Sequence, residues 1–444
     1  MSTIAAIATA TGGAIGVIRV SGEHAIDVVG SVFSKDLTDT PANTVTYGEI
    51  RDDAGETLDQ VLVSIFRAPH SYTGEDSVEI SCHGSRYILS RVMELLISHG
   101  ASQAGPGEFT MRAFMNGKMD LSRAEAVADV IAAESRAAHR VSMSQLKGGF
   151  TSKLAQLRER LLKMTSLLEL ELDFSDHEEL EFADRTELSA LAGEISSHIQ
   201  KLIQSYRSGQ AIKAGIPVAI VGKTNVGKST LLNLLLGDER AIVSDIHGTT
   251  RDVIEDTALI RDVLFRFIDT AGFRHTDDAV EQIGIDRARR KMEQSQIVLW
   301  LIDEEPQQEE LAEMRQACAA RHLIIVASKS DLSPTPPPSA DIAISAKKNE
   351  HIDTLYDMLI SAAAMPEISA GEIIVTNARH YDALCKAAEA MTRVTDALTA
   401  GLSGDLVAED LRDCIRHLSA IVAKGEITSQ ETLCNIFSHF CVGK

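Results

Sequence analysis

The chain has 444 residues, of which 44% are hydrophobic, enough apolar material for about three ordinary domains with real cores. Its 43 basic and 64 acidic residues give a net charge of -21, which excludes nucleic-acid capture by a broad basic field. Its longest unbroken apolar stretch, Ile297 to Ile302, is far shorter than the ~18 residues of a membrane-spanning helix, so no membrane association is expected. Six scattered cysteines without zinc-ligand spacing indicate reduced thiols and a cytoplasmic location.

Residues 1–117 are predicted to form an α+β domain. Their β-rich runs "GAIGVIRVSG", "TVTYGEI", "VLVSIFRAP" and "SVEISCHG" are separated by Gly, Asp and Pro. From 118 to 213 the pattern is helical, with "AEAVADVIAAESRAAHRVSMSQL", "KLAQLRERLLKMTSLLELEL" and "RTELSALAGEISSHIQKLIQSYRSG". Ser122-Arg123-Ala124-Glu125 has the pattern of a capping box and predicts that the first of these helices begins there.

Residues 214–365 alternate apolar strands with helices, which is typical of a parallel α/β sheet. The predicted strands are "IPVAIVG", "VLFRFID", "QIVLWLID", "HLIIVAS" and "ADIAIS". Amphipathic helices return over 366–444. The economical arrangement is therefore a helical domain made of 118–213 and 366–444, into which an α/β domain of the Ras-like G-domain type is inserted.

A phosphate-binding loop is predicted where the first strand of this α/β domain meets a helix. Gly222-Lys-Thr-Asn-Val-Gly227-Lys228-Ser229 matches G-x-x-x-x-G-K-[ST], whose glycines let successive backbone N–H groups face a phosphate. Lys228 is expected to reach the β- and γ-phosphates, and the Ser229 hydroxyl to ligate Mg²⁺.

Further motifs follow in the order typical of a GTP-binding switch protein. In Gly248-Thr249-Thr250-Arg251-Asp252 a Thr hydroxyl is expected to complete the Mg²⁺ shell, and after Asp269-Thr-Ala-Gly272 the Gly272 N–H is expected to meet the γ-phosphate. Asp331, in Ser328-Lys329-Ser330-Asp331, is placed to accept the N1–H and 2-amino donors of guanine, which adenine does not offer. Ser345-Ala346-Lys347 supplies the closing loop around the base.

Phe273 directly follows Gly272, at the position where Ras-like proteins carry the Gln that orients the attacking water. A phenyl ring neither donates nor accepts a hydrogen bond. Either other residues position the water, or the chain is a nucleotide-gated scaffold that does not hydrolyse GTP. A second alternative, a ribosome-assembly GTPase, predicts a basic RNA-binding module beside the G domain, and the sequence contains none.

The chain also contains two longer stretches, "SYTGEDSVEISCHG" and "PGEFTMRAFMNGKMDLSRAEAVADVI", and the terminal segment "FCVGK". Together with the nucleotide motifs, these segments carry a family resemblance over essentially the full chain. The chain resembles the tRNA modification GTPases called MnmE or TrmE. Two departures stand out, because that family usually has Asn at Ser328 and Pro before Asn225.

The resemblance implies hydrolysis that is stimulated by K⁺ when two G domains pair. It implies K⁺ ligands at Asn225, Ser244, Ile246 and Thr249, and Mg²⁺ ligands at Ser229 and Thr250. Glu281 matches the acidic residue that orients the attacking water, and Lys228 and Asn225 complete the catalytic set. Together, motifs and resemblance assign GTP binding to Asn225, Gly227, Lys228, Ser229, Thr230, Ser244, Thr249, Thr250, Asp269, Gly272, Lys329, Asp331, Ser345 and Ala346.

The resemblance also implies that residues 1–117 form a homodimerisation domain that binds a one-carbon tetrahydrofolate derivative. Arg19, Glu79 and Lys118 match folate contacts, joined by Lys444. A basic side chain can pair with the glutamate carboxylates of folate, and an acidic side chain can accept hydrogen bonds from the donors of its pterin ring. The implied activity adds a carboxymethylaminomethyl or aminomethyl group to carbon 5 of the wobble uridine of tRNA. It requires a partner subunit, MnmG or GidA, which uses FAD and NADH.

Overall fold

The computed structural model describes residues 2–173, 185–237, 256–268, 292–333, 335–363, 373–422, 436–437, 440 and 442–443. The chain divides into two compact units, one made of Met1–Ile131, Met143–Ser196 and Ala383–Lys444, the other of Ala132–Ser142 and Ser197–Asp382. The four-part division predicted from the sequence is finer than these two units and stays a prediction. No helix in the described ranges combines the length and the apolar character needed to cross a bilayer.

The N-terminal residues form an α+β domain, as predicted. Its strands are β1 (Ile4–Ile7), β2 (Ile15–Ser21), β3 (Thr44–Arg51), β4 (Thr57–Phe66), β5 (Ser77–His83) and β6 (Ser102–Gln103). They pair in the order β3-β4-β5-β2-β1-β6, with only the β1 and β6 pair parallel among them. The helices are α1 (Ala25–Val32), α2 (Arg86–Ser98) and α3 (Glu108–Met115). The four predicted runs coincide with β2 to β5, whereas β1, β6 and the helices were not predicted individually.

One face of this sheet is covered, whereas the other is open over β3 and β4 and covered at β1, where Ile4 and Ala6 pack with Phe109. Val61, Val63 and Ile65 alternate along β4 and lie in a core that also contains residues of α1 and α2. Leu62, between them, points the other way and is 47% exposed. The alternation of strand side chains therefore leaves a face of the sheet that carries exposed apolar residues.

Helices follow from 121 onwards: α4 (Leu121–Ile131), α5 (Arg136–Leu146), α6 (Gly149–Asp173) and α7 (Arg185–Ala214). The stretch 124–146, read as one helical run, is divided between α4 and α5. The helical character predicted for this part of the chain is otherwise confirmed.

The predicted capping box at residues 122–125 is wrong. The cap lies two residues earlier: the helix begins at Leu121, and the backbone N–H of Arg123 donates to Oδ1 of Asp120 at 2.9 Å, so Asp120 is the capping residue. Ser122 is fully buried, and within the described residues its hydroxyl has no hydrogen-bond partner. The other Asp120 oxygen accepts a bond from the Thr151 hydroxyl at 2.9 Å. That contact comes from a distant helix, which a local pattern does not reveal.

The second unit contains a six-stranded sheet of the predicted α/β type. Its elements are β7 (Ile216–Gly222), α8 (Lys228–Gly237), β8 (Asp256–Ile260), β9 (Val263–Phe267), β10 (Ile297–Ile302), α9 (Gln308–Ala317), β11 (His322–Ala327), β12 (Ile342–Ala343) and α10 (Ile352–Ala363). The strand order is β12-β11-β10-β7-β9-β8, parallel except for the antiparallel β8 and β9 pair. The five predicted strands are present, and β8 is an additional one.

Strand β10 is buried along its whole length because both faces of this sheet are covered. Ile297, Leu299 and Leu301 lie in one hydrophobic cluster. Val298 and Trp300 lie in another. A strand buried on both sides reads as an unbroken apolar run, which is why the sequence identified it.

Two more helices, α11 (Ala378–Thr399) and α12 (Gly404–Ile421), follow the α/β sheet in the chain. In the first unit α12 packs against α6. Each helix buries one stripe of apolar side chains at helical spacing, Leu154, Leu157, Leu161, Met164 and Leu168 on α6 and Val407, Leu411, Cys414, Leu418 and Ile421 on α12. At the surface of this pair, the Arg412 guanidinium donates to Glu169 at 2.5 Å.

Candidate functional site

The predicted phosphate loop connects the end of β7 to the start of α8. Its backbone takes positive φ at three residues, with 146° at Gly222, 62° at Asn225 and 104° at Gly227. Left-handed residues in such a turn aim successive N–H groups at one point, which makes an anion-binding concavity. The N-terminus of α8 adds its own unpaired N–H groups and the positive end of its dipole.

Glycine is required at Gly222 and at Gly227 for different physical reasons. A Cβ on Gly222 would lie 2.4 Å from the carbonyl oxygen of Leu301, so the loop is held close against β10. A Cβ on Gly227 would meet nothing nearer than Ser328 Cβ at 4.0 Å, so only its positive φ requires glycine. The loop therefore packs against the sheet at Gly222, whereas the space beside Gly227 is open. This arrangement fits a bound phosphate group.

Lys228, the first residue of α8, folds back over the loop. Its ammonium donates to the carbonyl oxygens of Gly222 at 2.8 Å and Lys223 at 2.5 Å. The positive charge therefore lies inside the curve of the loop, where a phosphate would be bound. Ser229 and Thr230 follow in the first turn and are exposed, so the Ser229 hydroxyl is accessible to a metal ion.

The predicted guanine loop follows β11. Lys329 has a φ of 57°, and its ammonium bonds Asp303 Oδ2 at 3.2 Å, beyond the end of β10. Asp331 is half-buried, and its Oδ1 accepts a hydrogen bond from Ser345 Oγ at 2.8 Å. Ser345 is fully buried and accepts from the backbone N–H of Lys348 at 3.2 Å. The carboxylate is therefore held in place by the loop that also carries Ala346.

These two loops lie at the same edge of the sheet. Strands β7, β10, β11 and β12 are parallel neighbours, so their carboxyl ends meet there. After β7 the chain enters β8 and β9, which lie on one side of β7 in the sheet. It then crosses to β10, which lies on the other side of β7. A crevice at such a switch in strand order is where open α/β sheets bind ligands.

Several predicted site residues lie outside the described residues. These are Ser244, Ile246, Thr249, Thr250, Asp269, Gly272 and Glu281, together with Phe273. Of the predicted Mg²⁺ ligands the structure describes Ser229, and of the predicted K⁺ ligands Asn225. In the described part of the chain no group of three or more His, Cys, Asp and Glu residues could hold a metal.

In the first unit, two of the predicted folate contacts form an ion pair. Arg19 on β2 and Glu79 on β5 are directly opposite in the sheet register, and two guanidinium nitrogens donate to Glu79 Oε1 at 2.8 and 2.9 Å. The guanidinium carbon lies 5.5 Å from the centroid of the Tyr72 ring and 5.7 Å from that of Phe109. Burial raises the pKa of Tyr72, whose hydroxyl lies 2.9 Å from Thr110 Oγ1. Sequence reasoning named neither aromatic residue.

Of the other two predicted folate residues, the structure describes Lys118. The Lys118 ammonium donates to the carbonyl oxygen of Pro69 at 2.7 Å, whereas Lys444 lies outside the described residues. Its neighbour Gly443 accepts a bond from Arg19 at 3.4 Å, and Val442 forms a bridge with Pro106. The end of the chain therefore reaches the Arg19 and Glu79 pair.

A buried ion pair supports this region from within. Arg112, 3% exposed, donates to Glu108 at 2.8 Å and to Glu75 at 3.2 Å. Glu75 in turn accepts from the Ser21 hydroxyl at 3.0 Å. These residues hold α3 against the loop before β5, and nothing in the local sequence pattern identified them.

A mostly parallel sheet with a glycine-containing phosphate loop after its first strand, and a Lys-x-Asp loop after β11, defines the second unit as a G domain of the P-loop GTPase class. Residues 3–118 match the family model "GTP-binding protein TrmE N-terminus", and residues 121–441 match "MnmE helical domain". The chain therefore belongs to the family of tRNA modification GTPases called MnmE.

Its similarity to individual relatives extends over the whole chain. It is 52% identical to the tRNA modification GTPase MnmE of Phocaeicola vulgatus, covering 100% of this chain and 99% of that protein. It is 53% identical to the protein of the same name from Parabacteroides distasonis, with 100% of both covered. A solved G domain of FeoB from Methanococcus jannaschii is 18% identical, covering 33% of this chain and 96% of that chain, with a TM-score of 0.25.

Proposed function

We propose that the chain is the GTP-hydrolysing subunit of a complex that adds a carboxymethylaminomethyl or aminomethyl group to carbon 5 of the wobble uridine in tRNA. Family membership makes it a GTPase that acts in tRNA modification. The observation that carries the nucleotide part is the single sheet edge that holds both the loop at Asn225 to Lys228 and the carboxylate of Asp331. Phosphate and guanine are thereby recognised by separate, fixed loops.

The predicted site residues have separate roles in GTP hydrolysis. Lys228 neutralises charge on the β- and γ-phosphates, and Ser229 with Thr250 holds Mg²⁺, which supplies further neutralisation. Asp269 and Gly272 form the γ-phosphate side of the site, and Glu281 orients the water in place of the glutamine that Phe273 replaces. Lys329, Ser345 and Ala346 complete the guanine side, with Thr230, Ser244 and Thr249 near the phosphates.

Hydrolysis is stimulated by K⁺ held by Asn225, Ser244, Ile246 and Thr249 when two G domains pair. A monovalent cation beside the β–γ bridge offsets developing negative charge as an arginine finger does. The exposed position of Asn225 in the phosphate loop supports this role, because its side chain is accessible to an ion there.

Turnover of GTP in potassium and in sodium buffer tests this proposal. We expect the chain to hydrolyse GTP at least about tenfold faster in K⁺, equivalent to ~1.4 kcal/mol of barrier. Asn225→Ala is expected to lose that difference. Asn233→Ala is the matched control, since Asn233 is an exposed asparagine on the neighbouring helix α8. Equal rates in the two salts would contradict the role of K⁺, and inactivity in both would favour a nucleotide-gated scaffold.

The folate part of the proposal rests on the Arg19 and Glu79 pair. A guanidinium flanked by the rings of Tyr72 and Phe109 offers both charge for a carboxylate and flat surfaces for a pterin. Lys118 and Lys444 add positive charge to the same set. The ligand is a one-carbon derivative of tetrahydrofolate.

The chain forms a homodimer through its N-terminal domain. The open face of the sheet supports this, since Ile15, Val45, Tyr47 and Leu62 are 66%, 61%, 55% and 47% exposed. Apolar side chains clustered on one face of a sheet mark an interaction surface. A second copy of the chain presents the same face and covers it symmetrically.

The complex includes the FAD- and NADH-using subunit MnmG, also called GidA, and the tRNA substrate, and it works in the cytoplasm. The net charge of -21 disfavours tRNA capture by this chain alone. A more basic partner subunit resolves that difficulty.

A further inference from the structure

Helix α5 has one buried side and one basic side. Its buried side chains recur at helical spacing and are those of Ala138, Val141, Ser142 and Gln145. The exposed side chains on the opposite side include those of Arg136, His139 and Arg140. The helix contains no acidic residue. Because the two arginines are four residues apart, they extend from the same side, about 6 Å apart along the helix axis.

The segments packed against α5 supply no acidic residue that would neutralise this side. Of the 444 residues 64 are acidic, yet none occurs in 135–158 or in 195–214, where α7 ends. Within one compact unit, Ala138 and Val141 of α5 form a hydrophobic cluster with Ile212 of α7 and with Ile374. The fold therefore packs two acid-free segments together that are far apart in the chain.

The two arginines of α5 also differ from other exposed helical arginines. Arg160 donates to Glu194 at 3.1 Å, and Arg412 donates to Glu169 at 2.5 Å. Neither arginine of α5 bonds a carboxylate among the residues that the structure describes. The acidic residue nearest to them in the chain is Glu134, which precedes the helix. Their positive charge is therefore available to an external anion.

We propose that the α5 face, formed by Arg136, His139 and Arg140, contacts the phosphate backbone of the tRNA substrate. The inference rests on the proposed function in tRNA modification and deepens it. Guanidinium groups bind phosphate oxygens through paired hydrogen bonds. The net charge of -21 does not prevent this contact, because exposed charges are screened beyond about 8 Å at physiological ionic strength. A local basic face thus attracts phosphate although the whole chain is acidic.

The test measures binding of a tRNA transcript with uridine at the wobble position to the full chain, by fluorescence anisotropy at several KCl concentrations. We expect Arg136→Gln combined with Arg140→Gln to weaken binding about tenfold at low salt. The slope of log affinity against log salt concentration is expected to fall by about two, because two phosphate contacts are lost. Arg136→Lys combined with Arg140→Lys keeps both charges and is expected to retain the slope and bind within about threefold.

Arg160→Gln combined with Arg412→Gln is the matched control. It removes the same charge from two exposed helical arginines that are already paired with carboxylates. We expect it to leave the affinity within about twofold and the slope unchanged. If the double glutamine variant of α5 does not fold, Arg136→Gln and Arg140→Gln are tested singly, and each is expected to lower the slope by about one.

The proposal is overturned if the unchanged chain does not bind the transcript, or if the double glutamine variant of α5 keeps its affinity and slope. It is also overturned if the control variant weakens binding equally, since that is a general effect of charge. Loss of MnmG capture with unchanged tRNA binding would overturn it too, because the face would then bind a protein. Failure of the proposed function is seen separately, as GTP turnover by the unchanged chain that does not respond to K⁺.

Discussion

Two cysteines lie in surroundings that suppress their reactivity. Burial, followed by the charge of Asp59, raises the pKa of Cys82 to about 12. Burial, followed by Asp413, raises that of Cys414 to about 12 as well. Since the thiolate is the reactive form, neither residue is a nucleophile at neutral pH. Both side chains act as small apolar groups in the packed interior.

At pH 8.5 we expect iodoacetamide to label Cys385, which is partly exposed, and to leave Cys82 and Cys414 unmodified in the folded chain. Peptide mass spectrometry reads out each site separately. In guanidinium chloride all six cysteines are expected to react, which is the control for reagent and detection. Labelling of Cys82 as fast as Cys385 in the folded chain would contradict the prediction.

The same pKa shifts give a pH dependence of stability. An unfolded thiol titrates near pH ~8.5, whereas the folded thiols of Cys82 and Cys414 titrate near 12. Between these values the unfolded state has lost its protons and the folded state has not. The contribution of these thiols to stability is therefore complete below pH ~8.5 and is lost as pH rises towards 12.

At the scale of elements, the pairing of α6 with α12 depends on the two buried stripes. Leu411 on α12 is fully buried, whereas Leu406 on the same helix is 49% exposed. Leu411→Ala is expected to lower the free energy of unfolding by about 2–5 kcal/mol, because it removes buried methyl groups and leaves a cavity.

Leu406→Ala makes the same chemical change on the exposed side of α12 and is expected to alter stability by about 0.5 kcal/mol or less. Thermal unfolding followed by circular dichroism compares the two variants. Equal shifts in melting temperature would show that the two stripes do not hold the helices together.

At the scale of the whole molecule, the proposed homodimer gives the exposed apolar side chains of the N-terminal sheet a testable role. Leu62→Glu places a charge beside the exposed Tyr47, its partner in the register of β3 and β4, where a dimer through this face would have to bury the charge without a partner. We therefore expect this variant to sediment as a monomer under conditions in which the unchanged chain sediments as a dimer.

Leu332→Glu is the control for this experiment, since Leu332 is 77% exposed and belongs to the other compact unit. It adds the same charge and is expected to leave sedimentation unchanged. A dimer of unaltered strength with Leu62→Glu would exclude this face as the interface.

Local patterns in the sequence determined the α/β sheet and its phosphate loop. The parallel strands are buried on both faces, so they read as apolar runs such as Ile297 to Ile302. The phosphate loop needs glycine at fixed spacing, so it reads as a motif. Strand β8 was missed because it is a short antiparallel edge strand that begins with Asp256 and has one neighbour, β9.

The sequence by itself determined the family, the fold class and the elements whose cause lies within a few neighbouring residues. Only the tertiary structure decided which distant groups meet. It joined Thr151 to Asp120 across 31 residues, paired Arg19 with Glu79 across 60, and joined Ser328 to Val226 across 102. Hydrogen bonds and ion pairs require atoms a few ångströms apart, and chain separation does not encode that distance until the fold sets it.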